Sequence, residues 1–392
     1  MQSKSIDLNL PKMMIFKNYL HMMKRFFSDI LNIKKLKLLI LLSLTYSKLN
    51  SNTQFIYLHK FFFGGVTTFT AHLIYTIGMS ERKNDNVILR PTSSNKSENR
   101  LRDFGYGLHY KNISAKILRN IQYPFFTMIK DDYFPIILNL TNNDQRERTD
   151  NIVVVIHDPR DISNRIIELI RKWKIITIRR AVQHYIQQKY NLNSVFLYHP
   201  FYAYPTISSI LNRKGAVSIS RIGFGKNIDI ILKANKILES FGINGIRLYG
   251  YPTPMYIYLH LNGKNGAVEF KKHYYGKFDK SFLSVSNIIA KKKFVVDLSL
   301  VKNDGGGTQY TYLEAIHNDC ALILHRRWIQ DLNNDPKYCD FKEGYNCFAI
   351  DNEKELAELI KVDPDTTKII SNAKRLMHRH TNIDWSKVID NN

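Results

Sequence analysis

Ile152-Val153-Val154-Val155-Ile156-His157-Asp158-Pro159 is the stretch from which the fold is read. Five consecutive apolar residues, all of them β-branched, favour a strand. The run does not alternate with polar residues, so it describes a parallel strand covered on both faces. His157 and Asp158 stand at its carboxyl end, where open parallel sheets keep their ligands. Pro159 removes a backbone donor and stiffens the exit. The plainer reading is that Asp158-Pro159 only opens a turn, a common use of that pair.

The same pattern repeats on both sides of this stretch. Residues 54–58 form a short apolar run, followed by Gly64-Gly65-Val66-Thr67-Thr68 and then Phe69, His72, Leu73 and Ile77 at helical spacing. This predicts strand, glycine turn, helix. Residues 80–104 are polar and rich in Lys, Asn and Ser, which predicts a loop. Residues 175–178 and 195–198 continue the series as strands. Tyr198-His199-Pro200-Phe201 then leaves the first domain, with a crossover running to Gly215.

A second series begins at residues 216–220 and continues through strands at 246–249, 294–298 and 321–324. Between them lies a helix over 227–240 that Gly242 can close. Another helix comes after Gly305, Gly306 and Gly307, over 309–317. Asn352, with Glu355 three residues on, opens a last helix as a capping box. Strands alternating with helices predict an α/β fold of two doubly wound Rossmann-like domains facing across a cleft. The boundaries expected are 1–52 for an extension, 53–200 for the first domain and 201–392 for the second.

Length and composition agree with this division. The chain has 392 residues, enough for two domains, and 44% of them are apolar, enough for two cores. Its formal net charge of +23 points to anionic partners: nucleic acid, anionic lipid or phosphorylated small molecules. The Lys, Asn and Ile content of an AT-rich gene explains the same charge without any partner. Cys320, Cys339 and Cys347 form no C-x-x-C pair and no zinc spacing. Cys320 sits in an apolar stretch and is expected in the core.

Residues 1–52 carry nine Lys/Arg against two Asp/Glu, and their apolar run at 38–44 falls far below the ~20 residues needed to span a bilayer. No cleavage signal comes after it. The segment reads either as a basic arm touching a membrane or nucleic acid, or as an extension without function. A cytoplasmic protein, with peripheral membrane contact, is the expected setting.

The second domain reads as an anion site. Ser220-Arg221-Ile222-Gly223-Phe224-Gly225-Lys226 places two cations five apart on a glycine-containing turn. Arg can fork two phosphate oxygens, and Lys acts as a point charge. Gly305, Gly306 and Gly307 would bare backbone N–H groups, and the next helix adds its positive end. Glu314, within that helix, suits the hydroxyls of a ribose. Each feature has a plainer counterpart: an exposed basic turn, a flexible loop, an exposed helical carboxylate.

Together these motifs resemble the donor half of retaining GT-B glycosyltransferases, of family 4 and of the phage DNA α-glucosyltransferases. The resemblance is carried by Ser220-Arg221-x4-Lys226 and by Gly305-Gly306-Gly307-Thr308-Gln309-Tyr310-Thr311-Tyr312-Leu313-Glu314-Ala315. It extends to Gly64-Gly65 and to Ile156-His157-Asp158, and covers residues 53–360. It implies that Arg221 and Lys226 hold a donor diphosphate, that Gly306, Gly307 and Thr308 lie near phosphate and sugar, and that Glu314 binds ribose. It also implies that His157 lines the sugar, that Asp158 faces the acceptor, and that Gly64 and Gly65 admit the substrates. Family 4 carries a second Glu eight residues before the ribose-binding one. Here that position is Gly306, with Asp304 the acidic residue closest by.

The resemblance implies a hexosyltransferase acting on a nucleotide-diphosphate sugar, with no cofactor and no metal. The sequence does not identify the acceptor, which a DNA base, a glycan, a lipid or a protein could supply; the basic charge suits DNA or a membrane-associated glycan. Two alternatives stand beside it: a nucleotide-sugar epimerase of the same fold, and a non-catalytic nucleic-acid-binding protein, which the basic charge and 12% aromatic content would also suit.

Overall fold

The computed structural model describes residues 54–59, 64–77, 87–92, 97–98, 100–121, 123–141, 151–207, 213–261, 266–300, 307–330 and 339–385. The basic segment 1–52 lies outside them, as do Asp304, Gly305 and Gly306.

The first sheet holds β1 (Gln54–Ile56), β2 (Val87–Thr92), β3 (Leu101–Gly105), β4 (Leu108–Ser114), β5 (Pro124–Phe126), β6 (Val153–Ile156), β7 (Lys174–Thr177) and β8 (Val195–Phe196). Their order is β3-β4-β2-β1-β5-β6-β7-β8, and only the β3–β4 pair is antiparallel. Its helices are α1 (Gly65–Thr76), α2 (Phe134–Thr141), α3 (Asn164–Ile170) and α4 (Arg180–Tyr190).

The second sheet holds β9 (Ala216–Ile219), β10 (Arg247–Tyr249), β11 (Phe294–Asp297), β12 (Ala321–His325) and β13 (Phe348–Ile350), all parallel in the order β10-β9-β11-β12-β13. Around it lie α5 (Ile228–Ser240), α6 (Gly266–His273), α7 (Phe282–Ile289), α8 (Tyr310–His317), α9 (Arg326–Gln330), α10 (Glu353–Val362) and α11 (Thr367–Thr381).

The predicted loop at 80–104 is corrected: it contains β2 and most of β3. β2 pairs with β4 over six residues and with β1 on its other side, so long-range pairing outweighs the polar residues around it. β3 and β4 are joined by Tyr106-Gly107, both at positive φ, a two-residue hairpin that local composition hides. The capping box is formed: the Asn352 side chain accepts from the Lys354 and Glu355 N–H groups at the start of α10.

Side chains alternate along the central strands. Val153 and Val155 face a core shared by both sheets, while Val154 and Ile156 face the outer layer. The shared core runs without a break from Phe55, Phe69 and Leu73 to Ile219, Tyr312 and Leu313. The two halves are therefore closed on each other around the crossover residues Phe201 and Tyr204. Beyond α11 the chain crosses back to the first half. Trp385 donates to the Tyr198 carbonyl at 3.2 Å and meets the Phe69 ring edge-on at 5.7 Å. Residues assigned by sequence to the second domain thus help to build the first. Among the described residues no helix is long and apolar enough to cross a membrane.

Candidate functional site

The carboxyl end of the second sheet carries the most organised polar group. β9 exits through Ser220 and Arg221 into the turn that ends at Lys226. Gly250 is required beside this exit: it sits at φ +145, and a Cβ there would fall 1.7 Å from the Ser220 carbonyl oxygen. Arg221 is exposed. Lys226 is seated. Its ammonium lies 2.9 Å from Asp297 Oδ2, 2.6 Å from Ser299 Oγ and 3.1 Å from Gln309 Oε1. Asp297, the last residue of β11, is 1% exposed and also accepts from Ser299 N–H at 3.0 Å.

A buried carboxylate requires such a partner, because an unpaired charge in the interior is expensive. Gln309 precedes the first turn of α8, so one ammonium joins the ends of β11 and α8 to the turn after β9. Thr311 Oγ1 adds a bond to the Ile219 carbonyl at 3.3 Å.

Gly307 and Thr308 lead into α8. Gly307 has φ +92, and the Arg179 side chain of the first half lies 3.7 Å from where its Cβ would be. Its carbonyl accepts from Trp328 Nε1 at 3.1 Å. A small cavity opens here between the halves, lined by Arg179, Arg180, His199, Thr308, Asp340 and His380. His199 Nδ1, His380 Nε2 and Thr308 Oγ1 are buried without hydrogen-bond partners. Burial drives the imidazole pKa of His199 well down and that of His380 to about 4.

Glu314 faces inward. It is 4% exposed and accepts from His72 Nε2 at 3.1 Å and from the Tyr204 hydroxyl. The His72 tautomer is fixed, since Nδ1 accepts from the Tyr202 N–H at 3.0 Å. Its ring is stacked between Phe201 and Tyr310 at 4.4 and 4.8 Å. Burial, and next the charge of Glu314, push the Tyr204 hydroxyl pKa well up. The carboxylate expected to meet a ribose is thus sealed in a network joining α1, the crossover and α8.

In the first half, His157 donates from Nε2 to the Thr127 carbonyl at 2.7 Å and packs edge-on against Phe69. Burial holds its imidazole at about 4, so it is neutral near pH 7. Asp158 is used locally. Its side chain accepts from the Arg160 N–H at 2.9 Å and pairs with the Arg160 guanidinium at 2.5 Å, capping the short helix Pro159–Asp161. Burial raises the Asp158 pKa, but the Arg160 hydrogen bonds outweigh that and hold it low. Asp158, expected to face an acceptor, is thus engaged by Arg160 in the turn that Asp-Pro opens. Gly64 starts α1 at φ +94, and Gly64 and Gly65 are exposed with open space beside both backbones.

The whole arrangement has parallels among solved structures. It is similar to Anabaena Alr3699/HepE in complex with UDP and glucose, with 13% identity and a TM-score of 0.60, over 87% of this chain and 98% of that one. It is similar to an α-glucosyltransferase in complex with UDP and a 13-mer DNA containing an HMU base, with 12% identity and a TM-score of 0.59, over 86% and 98%. The fold is GT-B. No protein-family model matches the sequence, and no curated protein matches it either.

On this GT-B frame the structure brings together Lys226, Gln309 and the start of α8, with Arg221 on the same turn as Lys226. His157 and Asp158 stand at the end of the first sheet, and Glu314 is drawn into the shared core. Sequence reasoning missed Asp297, Ser299 and Arg179. Asp297 ends an apolar strand and Arg179 comes just after one, so the strand-end rule that singled out His157 would have found both.

Proposed function

We propose that the chain is a glycosyltransferase that takes a sugar from a uridine-diphosphate sugar and passes it, with retention, to an acceptor hydroxyl. The observation that carries this is the seat of Lys226 on Asp297, Ser299 and Gln309, beside Arg221 and the N-terminus of α8. It fixes the turn so that the exposed guanidinium of Arg221 and the N–H groups that open α8 would meet the negative charge a leaving diphosphate develops. Arg221 would fork the phosphate oxygens, and Lys226 would reach one by trading Ser299 or Gln309 for it while keeping Asp297. The carbon–oxygen bond to diphosphate breaks as the acceptor oxygen bonds on the same face of the sugar. The acceptor proton passes to a diphosphate oxygen. Asp158 is a poor base here, since Arg160 occupies its carboxylate. His157, neutral and fixed by Thr127, would hydrogen-bond the sugar.

Gly64 and Gly65 leave open backbone at the start of α1, which admits a substrate. The choice of uridine rests on the two structural neighbours, each solved with UDP. DNA is the acceptor we favour, from the net charge of +23 and the DNA-bound neighbour. The test is release of UDP from a panel of UDP-sugars, first without acceptor and then with DNA or a glycan. Slow release by the wild type, lost in Arg221→Ala, supports the reading. DNA binding without UDP release from any donor would make the chain a nucleic-acid-binding module instead.

A further inference from the structure

At the opposite end of α5 from Lys226, Glu239 stands in the last turn of the helix. Glu269 and His273 stand four apart on α6 and so share a face. His273 Nε2 lies 3.3 Å from Glu239 Oε1 and 3.8 Å from Glu269 Oε2, and the three ligand atoms fall within 4.8 Å of one another. His273 is only 6% exposed, yet its Nε2 has no hydrogen bond, and the buried Glu269 Oε2 has none either. The ring is wedged in place: a Cβ at Gly245 would lie 2.8 Å from its Cε1, so glycine leaves the room it occupies. Two carboxylate oxygens and an imidazole nitrogen thus converge, and the nitrogen and the Glu269 oxygen have no hydrogen-bond partner.

We infer that Glu239, Glu269 and His273 form a divalent-metal site, which zinc fits best, stapling α5 to α6. Zinc takes carboxylate oxygen and imidazole nitrogen at roughly 2.0–2.2 Å in a tetrahedron. Ligand atoms in that geometry are about 3.4 Å apart, close to the 3.3 and 3.8 Å separations already present. Lys272 lies 2.6 Å from Glu239 Oε2, which anchors that carboxylate and leaves Oε1 to the ion. A water would complete the set.

The staple would act beyond its own two helices. Immediately after His273, Tyr274 donates its hydroxyl to the Gly250 carbonyl at 2.9 Å, and Tyr275 N–H bonds the Leu248 carbonyl at 2.9 Å. Gly250 is the residue against which Ser220 closes, so the ion would brace the back of the turn that carries Arg221 and Lys226.

The experiment uses the full chain, stripped with a chelator and titrated with Zn2+ against a chromophoric competitor, with thermal unfolding monitored in parallel. The wild type should bind one equivalent saturably and unfold at a higher temperature with Zn2+ than with EDTA. Glu269→Gln and His273→Gln should each weaken this binding by about tenfold or more. Should His273→Gln fail to fold, Glu269→Gln decides alone. No saturable binding by the wild type overturns the inference, as does unchanged affinity and stoichiometry in Glu269→Gln. UDP release plays no part in the readout, so the result is independent of the proposed activity.

Discussion

The carboxyl ends of β6 and β11 look alike in sequence: an apolar run closed by an acidic residue. In the structure they differ. Asp158, two residues beyond the end of β6, turns to its own neighbour Arg160 and caps a short helix. Asp297, the last residue of β11, reaches 71 positions back to Lys226 and ties three elements together. A local partner makes a turn, whereas a distant cation makes a seat. Both carboxylates accept an N–H from two residues on; the difference is that Arg160 adds a guanidinium to Asp158, whereas Ser299 adds only a hydroxyl and leaves the charge of Asp297 to Lys226.

The largest expected effect falls on the distant pair. Lys226→Ala leaves Asp297 buried without its cation and should destabilise the chain by about 3–5 kcal/mol, measured by denaturant unfolding, along with loss of transfer. If stability is unchanged, the seat is not a buried pair. Arg221→Ala should lower sugar transfer by about 10²–10³-fold, on the order of 3 kcal/mol. Its unfolding temperature should stay that of the wild type, because the side chain is exposed.

The buried imidazoles offer a comparable effect through pH. Burial lowers the His380 pKa to about 4 in the fold, against an ordinary value of 6.5. A depressed folded pKa means that the unfolded chain binds the proton first. Stability should therefore be complete above about pH 6.5 and fall as the pH drops toward 4, by about 3 kcal/mol from His380. His380→Gln should flatten that profile, and an unchanged slope would reject this source. The smallest effect is expected at the local pair. Asp158→Ala should cost about 1 kcal/mol, as a lost cap does, and Asp158→Asn less, with transfer within a few-fold of wild type. Loss of most transfer in Asp158→Asn would instead restore Asp158 to the chemistry.

The same contrast divides the features legible in the sequence from those that were not. Runs such as Val153–Ile156 and Phe294–Asp297 announce themselves, because strands covered on both faces have no room for polar residues. β2 and β3 do not, because their pairing with β4 is supplied by other parts of the chain. Arg221 and Lys226 are visible as a local motif. Asp297, Ser299 and Gln309 gather around Lys226 only once the sheet is assembled. Glu314 was visible, but its fate was not: His72 and Tyr204, which enclose it, are 242 and 110 positions away.

The return of the chain at Trp385 has a consequence for its birth on the ribosome. Phe69 is made early, and the β-strands around it can pair as they emerge. The indole that covers Phe69 is 316 positions later. Throughout synthesis of the second half, the nascent first half therefore presents an uncovered aromatic face to chaperones and to neighbouring chains. That face can be closed in its final form only once residue 385 has been made.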